Sequence, residues 1–367
     1  RQLLSDIKFH SDYGRYDYDK ERYETWEEGV ERVMDMHRKK FKNKLTSELE
    51  EYLKEAEKLY KDKRVLGSQR ALQFGGEQLL KHEAKMYNCI SSYADRPRFF
   101  QDFFYFLLCG CGVGFSVQDR HINQLPKVEK RSKRTRMYTA EDSIEGWSSC
   151  IGVLLSSYFT DGGTMPEYNN YTIHFDLSNI RKKGSFISGG FKAPGPEPLR
   201  ESLRLIEELI EDAIKKSNEK KVQLRSIQVY DICMHIADAV ISGGVRRSAT
   251  ICLFDKDDEE MIKAKTYENF DLNPENPKNP QRARSNNSAV LMRGEVSYDE
   301  FINIYEKTRQ FGEPGFVFVN DLDALVNPCV EITKYPQTLD GRSGFQGCVS
   351  YDTKLITNSG IETIGEA

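Results

Sequence analysis

The sequence lacks long apolar runs, an excess of basic residues and a recognisable export signal. No stretch approaches the roughly 18 consecutive apolar residues of a membrane span, so no membrane association is predicted. The formal net charge of −4 gives no basic field, so we expect no direct nucleic-acid binding. The start, Arg1-Gln2-Leu3-Leu4, has neither a signal-peptide pattern nor an initiator methionine, and we expect the chain to begin inside a longer one.

The eight cysteines are scattered, without a CxxC motif or a Cys/His cluster at zinc spacing, and no metal site is predicted. A chain of 367 residues does not need disulfides for stability, so we expect the reducing cytoplasm as its location. Five cysteines lie in apolar segments and are expected in the core: Cys109, Cys111, Cys150, Cys233 and Cys252.

The hydrophobic pattern divides the chain into a helical N-terminal part and a remainder in which strands alternate with helices. Residues 1–85 are charged and rich in helix formers, with amphipathic patterns over 23–42 and 45–61. Further on, helices are predicted over 99–108, 140–158, 199–213 and 226–241, and strands over 111–117, 171–177, 249–254, 288–292 and 315–320. Strands that alternate with helices predict an α/β architecture with mainly parallel strands.

One hexapeptide near the end concentrates reactive groups. Asn327-Pro328-Cys329-Val330-Glu331-Ile332 places a carboxamide, a thiol and a carboxylate within five residues. The proline restrains the backbone and disfavours a helical Asn327, which indicates a stiff loop. An acid or base beside a sulfur suits chemistry on a hydroxylated substrate. By itself, the hexapeptide is equally compatible with a surface turn that contains a chance cysteine.

Two further segments suit anionic ligands. The loop Ser188-Gly-Gly-Phe-Lys-Ala-Pro-Gly-Pro196 contains the glycines that close backbone approach to an anion requires. The double glycine Gly243-Gly244 ends a predicted helix and precedes Val245-Arg246-Arg247-Ser248, whose arginines suit phosphate or base contacts, or are surface charge. A basic cluster over 120–137 is typical of a solvated loop.

Taken together, the motifs resemble those of ribonucleotide reductases, specifically the monomeric adenosylcobalamin-dependent type. They are Asn88-Cys89, Gly112-Val-Gly-Phe-Ser-Val117, Asn123-Gln-Leu-Pro-Lys-Val128, Glu145-Gly-Trp147, Phe175-Asp-Leu-Ser-Asn-Ile-Arg181, Gly195-Pro-Glu-Pro-Leu199, Gly244-Val-Arg-Arg-Ser-Ala249, Ser285-Asn-Asn-Ser288, Gly312-Glu-Pro-Gly315 and Asn327-Pro-Cys-x-Glu331. Each motif alone is weak, but their order over much of the chain is specific.

The resemblance implies a role for each reactive group. Cys329 would be the thiyl radical that removes the 3′ hydrogen of a ribonucleotide, Glu331 the general base at the 3′-hydroxyl, and Asn327 the hydrogen-bond partner of the sugar hydroxyls. Cys89 would be one member of a redox pair whose partner lies shortly after the radical cysteine, on a neighbouring strand. The family commonly has glycine at the position of Val330, so we expect the local backbone geometry to differ here.

The resemblance also implies a fold, a cofactor and partners. The fold would be the first half of a ten-stranded α/β barrel over 86–347, after the N-terminal helical region 1–85. Adenosylcobalamin would generate the radical, and a thioredoxin-like dithiol would reduce the redox pair. A deoxynucleotide effector would bind near Asp176, Arg181, Lys182, Gly189 and Gly190, and residues 243–250 would relay its identity to the substrate base. An insertion over about 127–223 would replace a dimer partner, which implies a monomer.

The last twenty residues depart from the reductase pattern. Gly347-Cys348-Val-Ser-Tyr-Asp-Thr-Lys resembles the first motif of an intein, in which Cys348 attacks the carbonyl of Gly347. A strand, a turn at Asn358-Ser-Gly360 and a second strand are predicted to follow. We favour the intein over the alternative that Cys348 is itself the second redox cysteine. On this interpretation residues 348–367 are an incomplete Hint-type β fold, and the fragment alone neither splices nor catalyses.

Two other functions stay open at this point. One is the large subunit of a metal-radical ribonucleoside-diphosphate reductase, which would have the same barrel without cobalamin. The other is a non-catalytic, nucleotide-binding regulator. The resemblance to the monomeric type favours triphosphate substrates.

Overall fold

The computed structural model describes residues 2–187, 191–241, 249–337, 341–347, 354–357 and 360–363. The chain forms two compact units. The first consists of Arg1–Asn88 with Gly184–Ala193, and the second of Cys89–Lys183 with Pro194–Ala367. Among the described residues, no helix combines the length and the apolar character that crossing a membrane requires.

The helices, in chain order, are α1 (Gln2–Asp12), α2 (Trp26–Lys40), α3 (Ser47–Lys61), α4 (Gln69–Phe74), α5 (Glu77–Lys81), α6 (Arg98–Leu108), α7 (Asp119–Ile122), α8 (Ile144–Tyr158), α9 (Glu197–Lys216), α10 (Ser226–Ile241), α11 (Glu259–Ile262) and α12 (Tyr298–Phe311). Short 3-10 helices cover Glu83–Met86, Pro166–Tyr168 and Pro280–Arg284.

The strands are β1 (Tyr16–Asp17), β2 (Arg22–Tyr23), β3 (Cys89–Tyr93), β4 (Gly112–Ser116), β5 (Val128–Glu129), β6 (Thr135–Thr139), β7 (Thr172–Asp176), β8 (Phe186–Ile187), β9 (Phe191–Lys192), β10 (Lys221–Val222), β11 (Thr250–Asp255), β12 (Ser285–Met292), β13 (Gly315–Val319), β14 (Leu325–Val326), β15 (Thr333–Lys334), β16 (Gln346–Gly347), β17 (Lys354–Thr357) and β18 (Gly360–Thr363).

The first unit is built from amphipathic helices. α2 begins with a capping box, in which the Thr25 hydroxyl accepts from the backbone of Glu28 and the Glu28 carboxylate accepts from the backbone of Thr25. Val30, Val33 and Met34, at helical spacing on α2, are buried in this unit's core. The predicted helices over 23–42 and 45–61 are therefore confirmed as α2 and α3.

The second unit is organised by a six-stranded sheet with the order β13-β12-β11-β4-β3-β16. The five strands from β3 to β13 are parallel, and β16 pairs antiparallel with β3. Parallel neighbours follow one another in the sequence, with helices such as α6, α10 and α12 in the connections. β3 and β4 are buried along their whole length, as expected for parallel strands covered on both faces. The predicted α/β class with mainly parallel strands is confirmed.

The long segment between β4 and β11 contains small two-stranded sheets and three of the longer helices, α8, α9 and α10. β6 and β7 pair in parallel, and β5 pairs antiparallel with β10. α8 is buried over most of its length, as its apolar sequence indicates. α9 buries the stripe of Leu199, Leu203, Ile206 and Ile210, which recurs at helical spacing.

Candidate functional site

The hexapeptide forms the tip of a short hairpin. β14 and β15 pair antiparallel, with Leu325 opposite Lys334 and Val326 opposite Thr333. Residues 327–332 are the turn between them, hereafter the Cys329 loop. The sequence predicts a stiff loop because of the proline. The pairing of β14 with β15 closes the base of this loop and restrains it further.

The side-chain oxygen of Asn327 stabilises the conformation of the Cys329 loop. It is fully buried, and its Oδ1 accepts hydrogen bonds from the backbone nitrogens of Glu331 and Ile332, both at 3.1 Å. The backbone nitrogen of Val330 donates to the Asn327 carbonyl at 2.9 Å. The Nδ2 of Asn327 is buried without a hydrogen-bond partner among the described residues. An amide donor in that position is poised for a ligand acceptor, because leaving it unpaired is costly.

Val330 has a backbone conformation that suits glycine. Its φ is +61°, in the left-handed region, where a β-branched side chain is strained. The side chain is 48% exposed. The sequence leads us to expect a local geometry that differs from the family's, and this stays a prediction; in this chain the valine adopts a strained left-handed conformation.

Two glycines on β4 let the hairpin lie on the sheet. A Cβ placed on Gly114 would be 2.0 Å from the carbonyl oxygen of Val326, far inside contact distance. A Cβ on Gly112 would be 3.1 Å from Pro328 Cγ and 3.4 Å from Cys89 Sγ. The proline next to Cys329 and the thiol of Cys89 therefore meet above Gly112, although 240 residues of sequence separate Cys89 from Cys329.

Side chains of β3 fix the hairpin from the other strand. Ser91 Oγ donates to the Val326 carbonyl at 3.0 Å, and Tyr93 Oη donates to the Asp323 carbonyl at 2.5 Å. Cys89, Ser91 and Tyr93 alternate along the strand and so share one face of the sheet. The hairpin thus runs antiparallel to β3 across this face and delivers the Cys329 loop to the Cys89 end.

At the Tyr93 end, a neutral histidine supports the same segment. The His121 ring stacks on Tyr93 with centroids 4.2 Å apart, and its Nδ1 lies 2.8 Å from Ser116 Oγ. Burial, with a smaller contribution from the Arg120 charge, lowers the pKa of His121 to about 3. Sequence analysis missed Ser91, Tyr93 and His121, since no local pattern distinguishes them from ordinary core residues.

Lys334 was also missed. It follows the loop, is buried, and donates from Nζ to the carbonyl oxygens of Cys89 at 3.3 Å and Gln346 at 3.4 Å. Gln346 lies opposite Ser91, and Gly347 opposite Ile90, in the antiparallel pairing of β16 with β3.

Exposure separates Cys329 from the other described cysteines. Cys329 is exposed, whereas Cys89 and the five cysteines assigned to the core are buried. Burial raises the pKa of Cys150 to about 12 and holds the pKa of Cys233 and Cys252 well above its usual value. The prediction that the five cysteines are buried in the core is confirmed. Cys150, Cys233 and Cys252 are inert thiols, because only the thiolate is nucleophilic. Glu331 is exposed as well.

The predicted effector residues are described only in part. Asp176 ends β7 opposite Thr139, and the backbone hydrogen bond from Ser178 lowers the pKa of its carboxyl group. Arg181 forms an ion pair with Asp142 at 2.6 Å, and Lys182 is exposed. The remaining predicted positions lie outside the described residues: Gly189, Gly190, Gly243, Gly244, Val245, Arg246, Arg247, Ser248 and the intein nucleophile Cys348. Across the described ranges, no group of three or more acidic, histidine or cysteine side chains is arranged to hold a metal ion.

Comparison with known proteins points to one group of enzymes. No protein-family model matches the chain. It is 27% identical over 394 residues to the adenosylcobalamin-dependent ribonucleoside-triphosphate reductase of Lactobacillus delbrueckii subsp. bulgaricus, an alignment that covers 91% of this chain and 50% of that protein. The enzyme of the same name from Lactobacillus gasseri is 28% identical, with 85% of this chain and 48% of that protein covered.

The fold agrees with these sequence matches. A crystal structure of a B12-dependent (class II) ribonucleotide reductase superimposes with a TM-score of 0.68 at 25% identity, over 92% of this chain and 51% of that one. The chain spans about half the length of the curated relatives it matches.

Proposed function

We propose that this chain is the N-terminal part of an adenosylcobalamin-dependent ribonucleotide reductase, which converts ribonucleotides, as triphosphates, into 2′-deoxyribonucleotides. The observation that carries the proposal is the meeting of Pro328, next to Cys329, with Cys89 above Gly112. The loop that carries Cys329 thereby lies at the Cys89 end of this sheet face. The relatives' names supply the reaction class.

For the architecture, we propose that the five parallel strands form the first half of a ten-stranded barrel. Support comes from their order, since neighbours in the sheet are also neighbours in the sequence, as in singly wound barrels. On this proposal residues 1–85 are the helical region, 86–347 the half barrel, and about 127–223 the effector-binding insertion.

The exposure of the Cys329 thiol is compatible with adenosylcobalamin as the cofactor. Adenosylcobalamin would supply a carbon-centred radical when bound. Cys329 is the exposed thiol among the described cysteines, and it stands at the tip of the hairpin. The residues present therefore suit radical delivery to Cys329, and the loop's own contribution is to hold that sulfur in place.

Each loop residue then has a defined part in the reaction. The Cys329 thiyl takes the 3′ hydrogen atom of the ribose, and the Glu331 carboxylate takes the proton of the 3′-hydroxyl. The unpartnered Nδ2 of Asn327 donates to a sugar hydroxyl, while its Oδ1 keeps the turn closed. The 2′-hydroxyl leaves as water, and a pair of thiols that includes Cys89 supplies two electrons and becomes a disulfide. Cys329 finally returns its hydrogen to C3′.

We propose that the second thiol of this pair belongs at the position of Cys348, supplied by the residue that follows an excised intein. The pairing of β16 with β3 supports the position, because Gly347, the residue before it in the chain, lies opposite Ile90, the neighbour of Cys89. The antiparallel pairing of β17 with β18 supports the intein interpretation, since the sequence predicts this strand-turn-strand start. In the complete gene product, Cys348→Ala should leave an unspliced precursor, visible as a larger mass.

Regulation and partners follow the same resemblance. We propose a deoxynucleotide effector at the segment that includes Asp176, Arg181 and Lys182, relayed to the substrate through residues 243–250. A thioredoxin-like dithiol in the cytoplasm would reduce the Cys89 disulfide, and the enzyme would act as a monomer.

The test is turnover by the complete, spliced enzyme with adenosylcobalamin, a ribonucleoside triphosphate and a dithiol. Deoxynucleotide formation without a second protein subunit is the expected result, and Cys329→Ser should abolish it. Cys150→Ser is the matched control, since serine can keep the hydrogen bond that Cys150 Sγ makes to the Gly146 carbonyl at 3.3 Å. Full activity of the Cys329→Ser enzyme would refute the catalytic assignment and favour a nucleotide-binding regulator.

A further inference from the structure

Lys334 brings a buried amine to the Cys89 end of β3. Its side chain is 2% exposed, and Nζ donates to the carbonyl oxygens of Cys89 and Gln346 at 3.3 and 3.4 Å. Lys334 itself belongs to the hairpin, opposite Leu325. One side chain therefore joins the hairpin that carries Cys329, the start of β3 and the strand that leads to residue 348.

A lysine is a costly way to fill a buried position. Taking an ammonium group out of water is unfavourable unless hydrogen bonds and charges compensate it, and a methionine would fill similar space without that cost. The two carbonyls satisfy part of its three-donor capacity. One acceptor is on Cys89 itself, at the start of β3, and the other is on β16, which pairs with β3.

We propose that Lys334 is a positioning residue for Cys89, which fixes the thiol at the strand end and favours its thiolate form. The inference rests on the proposed function in one respect, the redox role of Cys89. A cation within about 4–6 Å of an ionisable group stabilises the anionic form of that group. The hydrogen bond to the Cys89 carbonyl places the ammonium group on this same residue.

Other ionisable groups also occur near Cys89 along the chain or on the Cys329 loop and next to β4, including the buried Lys85 four residues earlier. Glu331 on the Cys329 loop is an acid and opposes a thiolate. Cys329, on the same loop, and Cys111, which immediately precedes β4, are thiols. Lys334 donates a hydrogen bond to the Cys89 carbonyl, so its positive charge would offset the burial of Cys89.

The positive charge of Lys334 would act when the Cys89 disulfide formed in the reaction is reduced. A thiolate of the external dithiol attacks the partner sulfur of the Cys89 disulfide, and the Cys89 sulfur leaves with the bonding electrons as a thiolate. The second thiol of the reductant then displaces the partner sulfur, which completes the two-electron reduction. A leaving thiol with a lower pKa leaves faster, so Lys334 would accelerate the first displacement.

Alkylation of the full chain by iodoacetamide tests the inference, with the rate at Cys89 followed by peptide mass spectrometry across pH. Lys334→Gln keeps a hydrogen-bond donor and removes the charge, and Lys334→Arg keeps the charge. We expect the midpoint of the Cys89 profile to rise in Lys334→Gln, with about tenfold slower alkylation at neutral pH, and to stay near the wild-type value in Lys334→Arg. An unchanged midpoint in Lys334→Gln would overturn the inference.

Cys150 in α8 reports whether the variants are folded, because burial raises its pKa to about 12 and so keeps it an unreactive thiol in every folded variant. If Lys334→Gln does not fold, the wild-type profile decides the question. A Cys89 midpoint at or below the roughly 8.5 of a free cysteine, in spite of burial, supports the inference, and a higher midpoint overturns it. The assay requires no turnover, so its outcome is separate from that of the deoxynucleotide assay.

Discussion

Replacing Val330 by glycine should relieve strain in the Cys329 loop. The φ of +61° places this β-branched residue where a non-glycine residue typically costs about 1–3 kcal/mol. Glycine removes that cost but adds about 0.5–1 kcal/mol of chain entropy to the unfolded state. It also loses the buried half of the valine side chain, worth about 1 kcal/mol. The net change in the free energy of unfolding should therefore be small, between about 1 kcal/mol of destabilisation and about 1.5 kcal/mol of stabilisation.

Val65 offers a matched control, because its side chain is 49% exposed, compared with 48% for Val330, and its φ is not positive. Val65→Gly has the same entropic and burial costs without strain to relieve. It should destabilise its unit by about 1.5–2 kcal/mol.

Urea unfolding followed by pulsed hydrogen exchange and mass spectrometry measures both variants, since the peptides report each unit separately. The expected signature is a difference of about 2 kcal/mol between the two valine-to-glycine changes. Equal losses at Val330 and Val65 would show that the left-handed turn stores no strain.

Three other substitutions test contacts that stabilise the second unit. Gly114→Ala should destabilise the second unit by more than about 2 kcal/mol and speed hydrogen exchange in the hairpin, because its methyl group would overlap the Val326 carbonyl; wild-type exchange rates would contradict this. The low pKa of His121 means that the unfolded state binds the extra proton, so stability should fall as pH drops from about 6.5 towards 3, and His121→Gln should flatten that slope in acid titrations. Asp231→Ala should cost about 3–5 kcal/mol in urea unfolding, because it leaves the buried Arg282 without its bidentate partner; a loss below about 1 kcal/mol would show that water reaches the pair.

The helices and parallel strands could be predicted because their signals are local. α2 repeats apolar residues at helical spacing, and β4 is a short, mostly apolar segment that is entered through glycines. The reactive loop was also visible, since Asn327, Cys329 and Glu331 lie within one short motif. Its link to Cys89 came only from resemblance to a known family, because no pattern in one sequence relates two cysteines so far apart.

The supporting contacts could not be predicted in the same way. The need for glycine at Gly114 arises from a strand more than two hundred residues later, which passes within contact distance. Lys334 looks like a surface residue in the sequence, and only the pairing of β16 with β3 shows where its amine goes. The left-handed turn at Val330 runs against the preference of valine, so a prediction from propensity would miss it.

The central claim is that the Cys329 loop and Cys89 act in one reaction, and a single-turnover measurement tests it directly. The complete, spliced enzyme would be fully reduced, freed of dithiol, and mixed with adenosylcobalamin and a ribonucleoside triphosphate. Product would be quantified alongside the oxidation state of Cys89 by mass spectrometry. We predict equal molar amounts of deoxynucleotide and of oxidised Cys89, and neither in Cys329→Ser. Deoxynucleotide formation that leaves Cys89 reduced would contradict the claim.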